Sequence, residues 1–100
     1  ITLPPRNPNI VEVFHLYIVQ ADARDRLLAF LNENGVEAKI HYPVPLHLQP
    51  ALKYLGYKEG DFPVAEAQAK RIISLPVHEY LEEGQIEYVV ERIRDFYHGG

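Results

Sequence analysis

Hydrophobic patterning along this chain predicts an α+β fold, a two-layer small domain in which a short, mainly antiparallel sheet is covered by helices on one face. Three observations carry that expectation. Residues 12–20 and 36–42 alternate with the period of two that a strand imposes, while residues 22–35 and 86–97 repeat apolar side chains at helical spacing. At 100 residues the chain has room for one modest core, because small folds bury a smaller share of their surface than large ones.

Ile1 to Asn9, with Pro4, Pro5 and Pro8, reads as an extended linker without core; residues 1–11 are assigned to it and 12–98 to the folded domain. From Glu12 to Gln20 the strand pattern puts Phe14, Leu16 and Ile18 on an expected core face and Val13, His15, Tyr17 and Val19 on a mixed one. Asp22 can cap a helix carrying Leu27, Leu28 and Leu31, with Phe30 at its flank and Gly35 placed to end it. Val36 to Tyr42 sets Val36, Ala38, Ile40 and Tyr42 on one side of a second strand and Glu37, Lys39 and His41 on the other.

Pro50 suits the first turn of a short helix to Leu55, before Gly56, and Asp61 can cap another through Val64 to Lys70. Ile72 to Leu75, stopped by Pro76, adds a short strand. The last helix shows an apolar stripe of Ile86, Val89, Val90, Ile93 and Tyr97 with Glu87, Glu91 and Arg94 outside it. Its opening, Leu81-Glu82-Glu83-Gly84-Gln85, lacks a Ser or Thr cap, and Gly84 in an early turn costs about 1 kcal/mol, so a weakly capped start is expected.

Charge and composition exclude several functions. Fourteen acidic against ten basic residues give a net charge of −4, which repels a phosphate backbone, so no nucleic-acid partner is expected. No apolar run approaches the length of a membrane span. Zero cysteines remove disulfides and thiolate chemistry together, which fits a cytoplasmic location. Five histidines without a His-Glu-x-x-His pattern, two of them held on a bend by Pro43 and Pro45, argue against a metal site. Ser74, the sole serine, sits in a buried-looking Ile-Ser-Leu-Pro turn, a poor place for a nucleophile.

The most informative run is Ile40-His41-Tyr42-Pro43-Val44-Pro45-Leu46-His47-Leu48-Gln49-Pro50. Its prolines remove donors and hold the backbone extended, so it cannot join a regular ladder; a stiff loop carrying polar side chains is a natural site element. The run resembles the HYP-x-P-x-H-x-Q stretch of the DegT/DnrJ/EryC1/StrS family of pyridoxal-phosphate-dependent sugar aminotransferases. Phe14-His15-Leu16-Tyr17, Arg24-Asp25-Arg26-Leu27, Asn34-Gly35-Val36, Leu55-Gly56-Tyr57, Gly60-Asp61-Phe62-Pro63-Val64-Ala65-Glu66 and Leu75-Pro76 follow in that family's order, so the resemblance runs from Val13 to Tyr97.

The resemblance implies the C-terminal small domain of an aminotransferase acting on a keto nucleotide sugar, with glutamate as amino donor and the wording after Pro43 closer to 3-keto than 4-keto enzymes. It implies that the linker leads from a large pyridoxal-phosphate-binding domain outside this chain, and that the parent is a homodimer. Starting at Ile1 with no initiator methionine, the chain reads as a piece of something longer.

Such chemistry needs a lysine to bond the cofactor, and Lys39, Lys53, Lys58 and Lys70 stand in no motif of that kind; each reads as a solvated surface residue. The chain alone is therefore expected to hold no cofactor, to contain no catalytic residue and to be inactive, giving its parent one wall of the substrate pocket. By resemblance His41 and Tyr42 point at the sugar, whose hydroxyl and keto oxygens an imidazole or phenol can meet as donor or acceptor. His47 and Gln49 are candidates too, against an equal case for loop-bracing before the Pro50 turn. His15 and Tyr17 read as packing beneath a domain interface, and Arg24 and Arg26 as surface ion-pair partners. The alternative is a free-standing small-molecule-binding or regulatory α+β module.

Overall fold

A computed structural model describes residues 1–99. Two strands, β1 (Tyr17–Gln20) and β2 (Ile72–Leu75), form an antiparallel pair, with helices α1 (Arg24–Glu33), α2 (Pro63–Ala69) and α3 (Glu83–His98) and two 3-10 turns, Leu46–Leu48 and Pro50–Leu55. The pairing sets Tyr17 opposite Leu75, Ile18 opposite Ser74 and Val19 opposite Ile73. Lys39 adds a single bridge to Ser74, and Thr2 another to Gln20, so the sheet is extended at both edges without further strands.

Period-two alternation holds in β1, but the face that is buried differs from expectation. Val19 (1% exposed) and Ile73 (0%) lie at the centre of the core with Leu27, Leu31, Val36 and Ala38, and Tyr17 and Leu75 pack beside them. Ile18 is only half-buried, on the opposite side. The cause is the cross-strand partner: Val19 and Ile73 stand side by side on one face and together meet α1 and α3, whereas Ile18 stands beside Ser74. Pairing also begins only at Tyr17, and Val13 is 94% exposed.

The alternation of the second predicted strand persists through Val36, Ala38 and half-buried Ile40, then fails, because Tyr42 is 70% exposed. Past Lys39 the segment makes no ladder, in keeping with Pro43 and Pro45.

α1 ends as expected: Asn34 closes it and Gly35 takes φ 79°. Its start differs. Ala23 occupies the cap position in a left-handed conformation with no side-chain cap, and Asp22 instead pairs with Arg71 at 3.2 Å. Arg24, expected at the surface, is buried; its Nη1 donates to the carbonyls of Ala69 (2.9 Å) and Ile72 (2.8 Å). It thereby supplies a donor to the C-terminal turn of α2, whose last carbonyls lack helical partners, and ties α1 to α2 and β2. Arg26 lies over the Phe96 ring at 5.6 Å.

Gly56, at φ 81°, terminates the Pro50–Leu55 turn. Asp61 does not cap α2. Its carboxylate accepts from the Lys58 N–H, and Glu66, reaching back, takes the N–H of Phe62, the cap residue. α3 is better capped than its sequence suggests: the Glu82 carboxylate and the Gln85 side chain form a reciprocal capping box, and Gly84 lies among exposed residues of the first turn. Its stripe is covered only in part. Val89, Ile93 and Phe96 pack on the core, while Ile86 (50% exposed) and Val90 (41%) line an apolar groove of about 610 Å³ beside Leu3 and Leu81.

Candidate functional site

The sheet face turned away from the helices carries the polar cleft, about 280 Å³ in volume, lined by His15, Glu37, Lys39, His41, Ser74 and His78 among others. Its floor follows from sheet geometry. Ser74 and Lys39 are directly opposed, exchanging Ser74 N–H to Lys39 O (2.7 Å) and Lys39 N–H to Ser74 O (3.1 Å). His41 lies two residues beyond Lys39, on the same side, which makes it the diagonal neighbour that a long side chain can bring back over Ser74. The Nδ1 of His41 meets the Ser74 Oγ at 2.8 Å. Across the mouth, Lys39 pairs with Glu37 at 3.1 Å, with both side chains largely in water.

Tyr42 stands at the rim with its ring edge-on to the His41 imidazole at 5.6 Å and projects into solvent. His41 and Tyr42 are therefore adjacent, and both are open to a ligand. The other two candidates lie elsewhere. His47 is buried, 9% exposed, with its Nε2 3.2 Å from Glu66 Oε2 and its ring 4.8 Å from that of Phe62. Gln49 donates to the Val44 carbonyl at 3.0 Å, closing the proline-rich bend on itself.

Glu66 gathers this second cluster. Its Oε1 accepts the Gly60 N–H at 2.7 Å, and its Oε2 accepts the Phe62 N–H at 3.0 Å and meets His47. The Gly60 N–H bond above all, then Phe62 and His47, hold the carboxyl below the usual carboxylate range, against an opposing push from burial. The cluster welds the turns at 46–55 to α2 and so anchors the far end of the bend that begins at His41.

Ser74, read from the sequence as buried and a poor nucleophile, is buried and also partners His41, a contact that sequence reasoning missed. It lies within β2 and is 5% exposed, and its hydroxyl serves a histidine 33 positions away. Its place after Ile72 and Ile73 and before Leu75 and Pro76 signals burial, and the pairing with His41 emerges only when residues 39–41 come alongside β2.

The lysines do not fit a cofactor-bonding role. Lys53, Lys58 and Lys70 are exposed, and Lys39, the one lysine lining the cleft, keeps 62% of its side chain in water and is tied to the Glu37 carboxylate. No step through pyridoxal phosphate can be built on the described residues.

The sheet-and-helix lobe is shared with known proteins. Residues 1–94 match the sequence profile of the DegT/DnrJ/EryC1/StrS aminotransferase family, and the chain belongs to that family. It is 53% identical over 85 residues to the pleiotropic regulatory protein of Geobacillus stearothermophilus, covering 85% of this chain and 23% of that protein. With the dTDP-3-amino-3,4,6-trideoxy-alpha-D-glucose transaminase of Streptomyces venezuelae it shares 38% identity over 96 residues, 96% of this chain and 25% of that one. The crystal structure of S. venezuelae DesV in complex with a ketimine intermediate superposes with a TM-score of 0.90 at 36% identity, over 97% of this chain and 26% of that one. An aminotransferase of the family from Brucella abortus gives 0.87 at 34% identity, with the same coverage. The chain thus spans about a quarter of the length of the relatives it matches.

Proposed function

We propose that this chain is the C-terminal small domain, residues 12–98 after a linker at 1–11, of a pyridoxal-phosphate-dependent aminotransferase that converts a keto nucleotide sugar to an amino sugar. The observation that carries the reading is the match of nearly the whole chain to about a quarter of the length of a family member, joined to a cleft whose polar groups suit sugar oxygens. The cofactor and the lysine that bonds it belong to the large domain outside these residues, and the parent works as a cytoplasmic homodimer with glutamate as donor. The cofactor supplies the transfer of nitrogen; this lobe supplies position.

His41 and Tyr42 are the groups that meet the substrate. Imidazole and phenol at the cleft rim can each donate to or accept from a hydroxyl or keto oxygen, and a fixed contact there orients the reacting carbon. His47 and Gln49 serve the site from behind, through the hydrogen bonds that keep the bend in place. Names among the relatives support a 3-keto substrate: the S. venezuelae protein is a transaminase of a 3-amino sugar, as is that of Aneurinibacillus thermoaerophilus at 30% identity.

The test is turnover by the full-length protein with 3-keto and 4-keto nucleotide sugars and glutamate. His41→Ala and Tyr42→Phe should each lower kcat/KM about two- to tenfold, the effect of one lost neutral hydrogen bond, with the fold intact because neither change opens a core cavity. Amination confined to C4 would reverse the regiochemical assignment. Full activity in both variants would remove the site assignment.

A second reading, a regulatory module, draws on the name of the Geobacillus protein and on that of the Saccharopolyspora erythraea erythromycin biosynthesis sensory transduction protein, 38% identical over 94 residues. Both proteins are about four times as long as this chain, which leaves room in each for a cofactor-binding domain. Absence of amination by the full-length protein with every keto sugar tested would favour this reading.

A further inference from the structure

We infer that Ser74 is a positioning residue that sets the tautomer of His41, so that the imidazole presents an Nε2–H donor to an oxygen acceptor in the cleft. The inference rests on the reading that His41 faces the substrate, and it deepens that reading by naming which polarity of partner the histidine takes.

The argument starts from the hydroxyl. Ser74 is 5% exposed and sits between β1 and residue 39, with its own N–H and C=O both engaged by Lys39. Its backbone is therefore fixed, and its side chain leaves the sheet on the face that carries the cleft. Among the described residues, the Oγ has a single side-chain partner, His41 Nδ1 at 2.8 Å.

Two arrangements of the proton are open to that contact. In one, Nδ1–H donates to Oγ, and the serine O–H must find a second acceptor in a buried place or go unpaired. In the other, the serine O–H donates to Nδ1, and nothing buried is left unmet. An unpaired buried donor is costly, so the second arrangement holds in the neutral imidazole. The proton of the ring then resides on Nε2.

A histidine in this state is a donor at its free end. It suits a keto, hydroxyl or phosphate oxygen acting as acceptor, and it does not suit a role as general base through Nε2. The neighbouring charges in the cleft, Lys39 and Glu37, are paired with each other, and His15 and His78 line the same space. Rim residue Tyr42 packs edge-on against the imidazole and limits its swing.

The tautomer can be read directly in the full-length protein labelled with 15N in its histidine rings, using two-bond proton–nitrogen correlations at pH 8, above the ordinary imidazole range. His41 is assigned by the signals lost in His41→Ala. The expected result is a bare Nδ1 and a protonated Nε2 in the parent protein, mixed tautomers in Ser74→Ala, and a return to one tautomer in Ser74→Thr. Ser74→Ala should also reduce kcat/KM about two- to tenfold, with Ser74→Thr restoring it. A protonated Nδ1 in the parent protein, or a His41 spectrum unmoved by Ser74→Ala, overturns the inference. The spectra are recorded without substrate, so they are independent of the site assignment. If the tautomer is as stated but His41→Ala turns over normally, the substrate reading falls and the positioning role falls with it.

Discussion

Single residues in this lobe are fixed by hydrogen bonds whose partners lie far along the chain. Arg24 shows the consequence for stability: it is 8% exposed and donates to two carbonyls, 45 and 48 residues away. Arg24→Ala should destabilise the protein by about 3 kcal/mol, the scale of charge-assisted bonds lost with buried acceptors left unmet, measured by urea unfolding. Exposed Arg94 offers a control, and its truncation should change little. Much at this scale was hidden in the sequence. The His-Tyr-Pro wording singles out His41, yet its serine partner and the burial of Arg24 depend on tertiary proximity that no local spacing encodes. Asp22 fails as a cap for the same reason: Ala23 turns left-handed, and the Asp22 carbonyl becomes the acceptor for the Tyr97 hydroxyl at 2.7 Å.

At the scale of elements the periodicities were legible, since every helix and strand named above has a pattern of apolar spacing or a proline and glycine boundary behind it. What alternation cannot say is which face of β1 is covered, because that depends on whether Ile73 or Ser74 stands alongside. Two contacts between elements lead to pH predictions of opposite sign. Glu66, which joins the turns at 46–55 to α2, is held below the carboxylate range by the Gly60 N–H first, then by Phe62 and His47. Its contribution to stability is present above the unfolded carboxyl pKa and is lost as pH falls through the lower folded value. Glu66→Gln should therefore flatten the acid limb of a stability–pH curve taken from pH 6 downward. Tyr97 joins α3 to the loop before α1, and burial, aided by the Asp22 carboxylate and opposed by Arg71, pushes its phenol up. The stability it adds is present below the unfolded phenol pKa and is lost as pH rises through the higher folded one. Tyr97→Phe should cost about 1 kcal/mol at pH 7 and remove the alkaline loss, checked by the same unfolding series.

The whole molecule is flat, with extents of 48 × 38 × 20 Å and a radius of gyration of 15.7 Å where a compact domain of this length would have about 13 Å. Ile86, Val90, Leu46 and Tyr54 remain exposed, so this lobe leaves more apolar surface in water than a self-sufficient domain needs to. The α+β class and the family order of motifs were readable at this scale because they are distributed over the whole chain. The proposed function divides the labour between a lobe that shapes a pocket and a cofactor lysine held elsewhere in the protein. Reduction of the full-length protein with borohydride in the presence of pyridoxal phosphate, followed by peptide mass mapping, tests that division most directly. The account predicts one stoichiometric pyridoxyl-lysine outside the residues described here, whereas a stoichiometric adduct on Lys39, Lys53, Lys58 or Lys70 would contradict it.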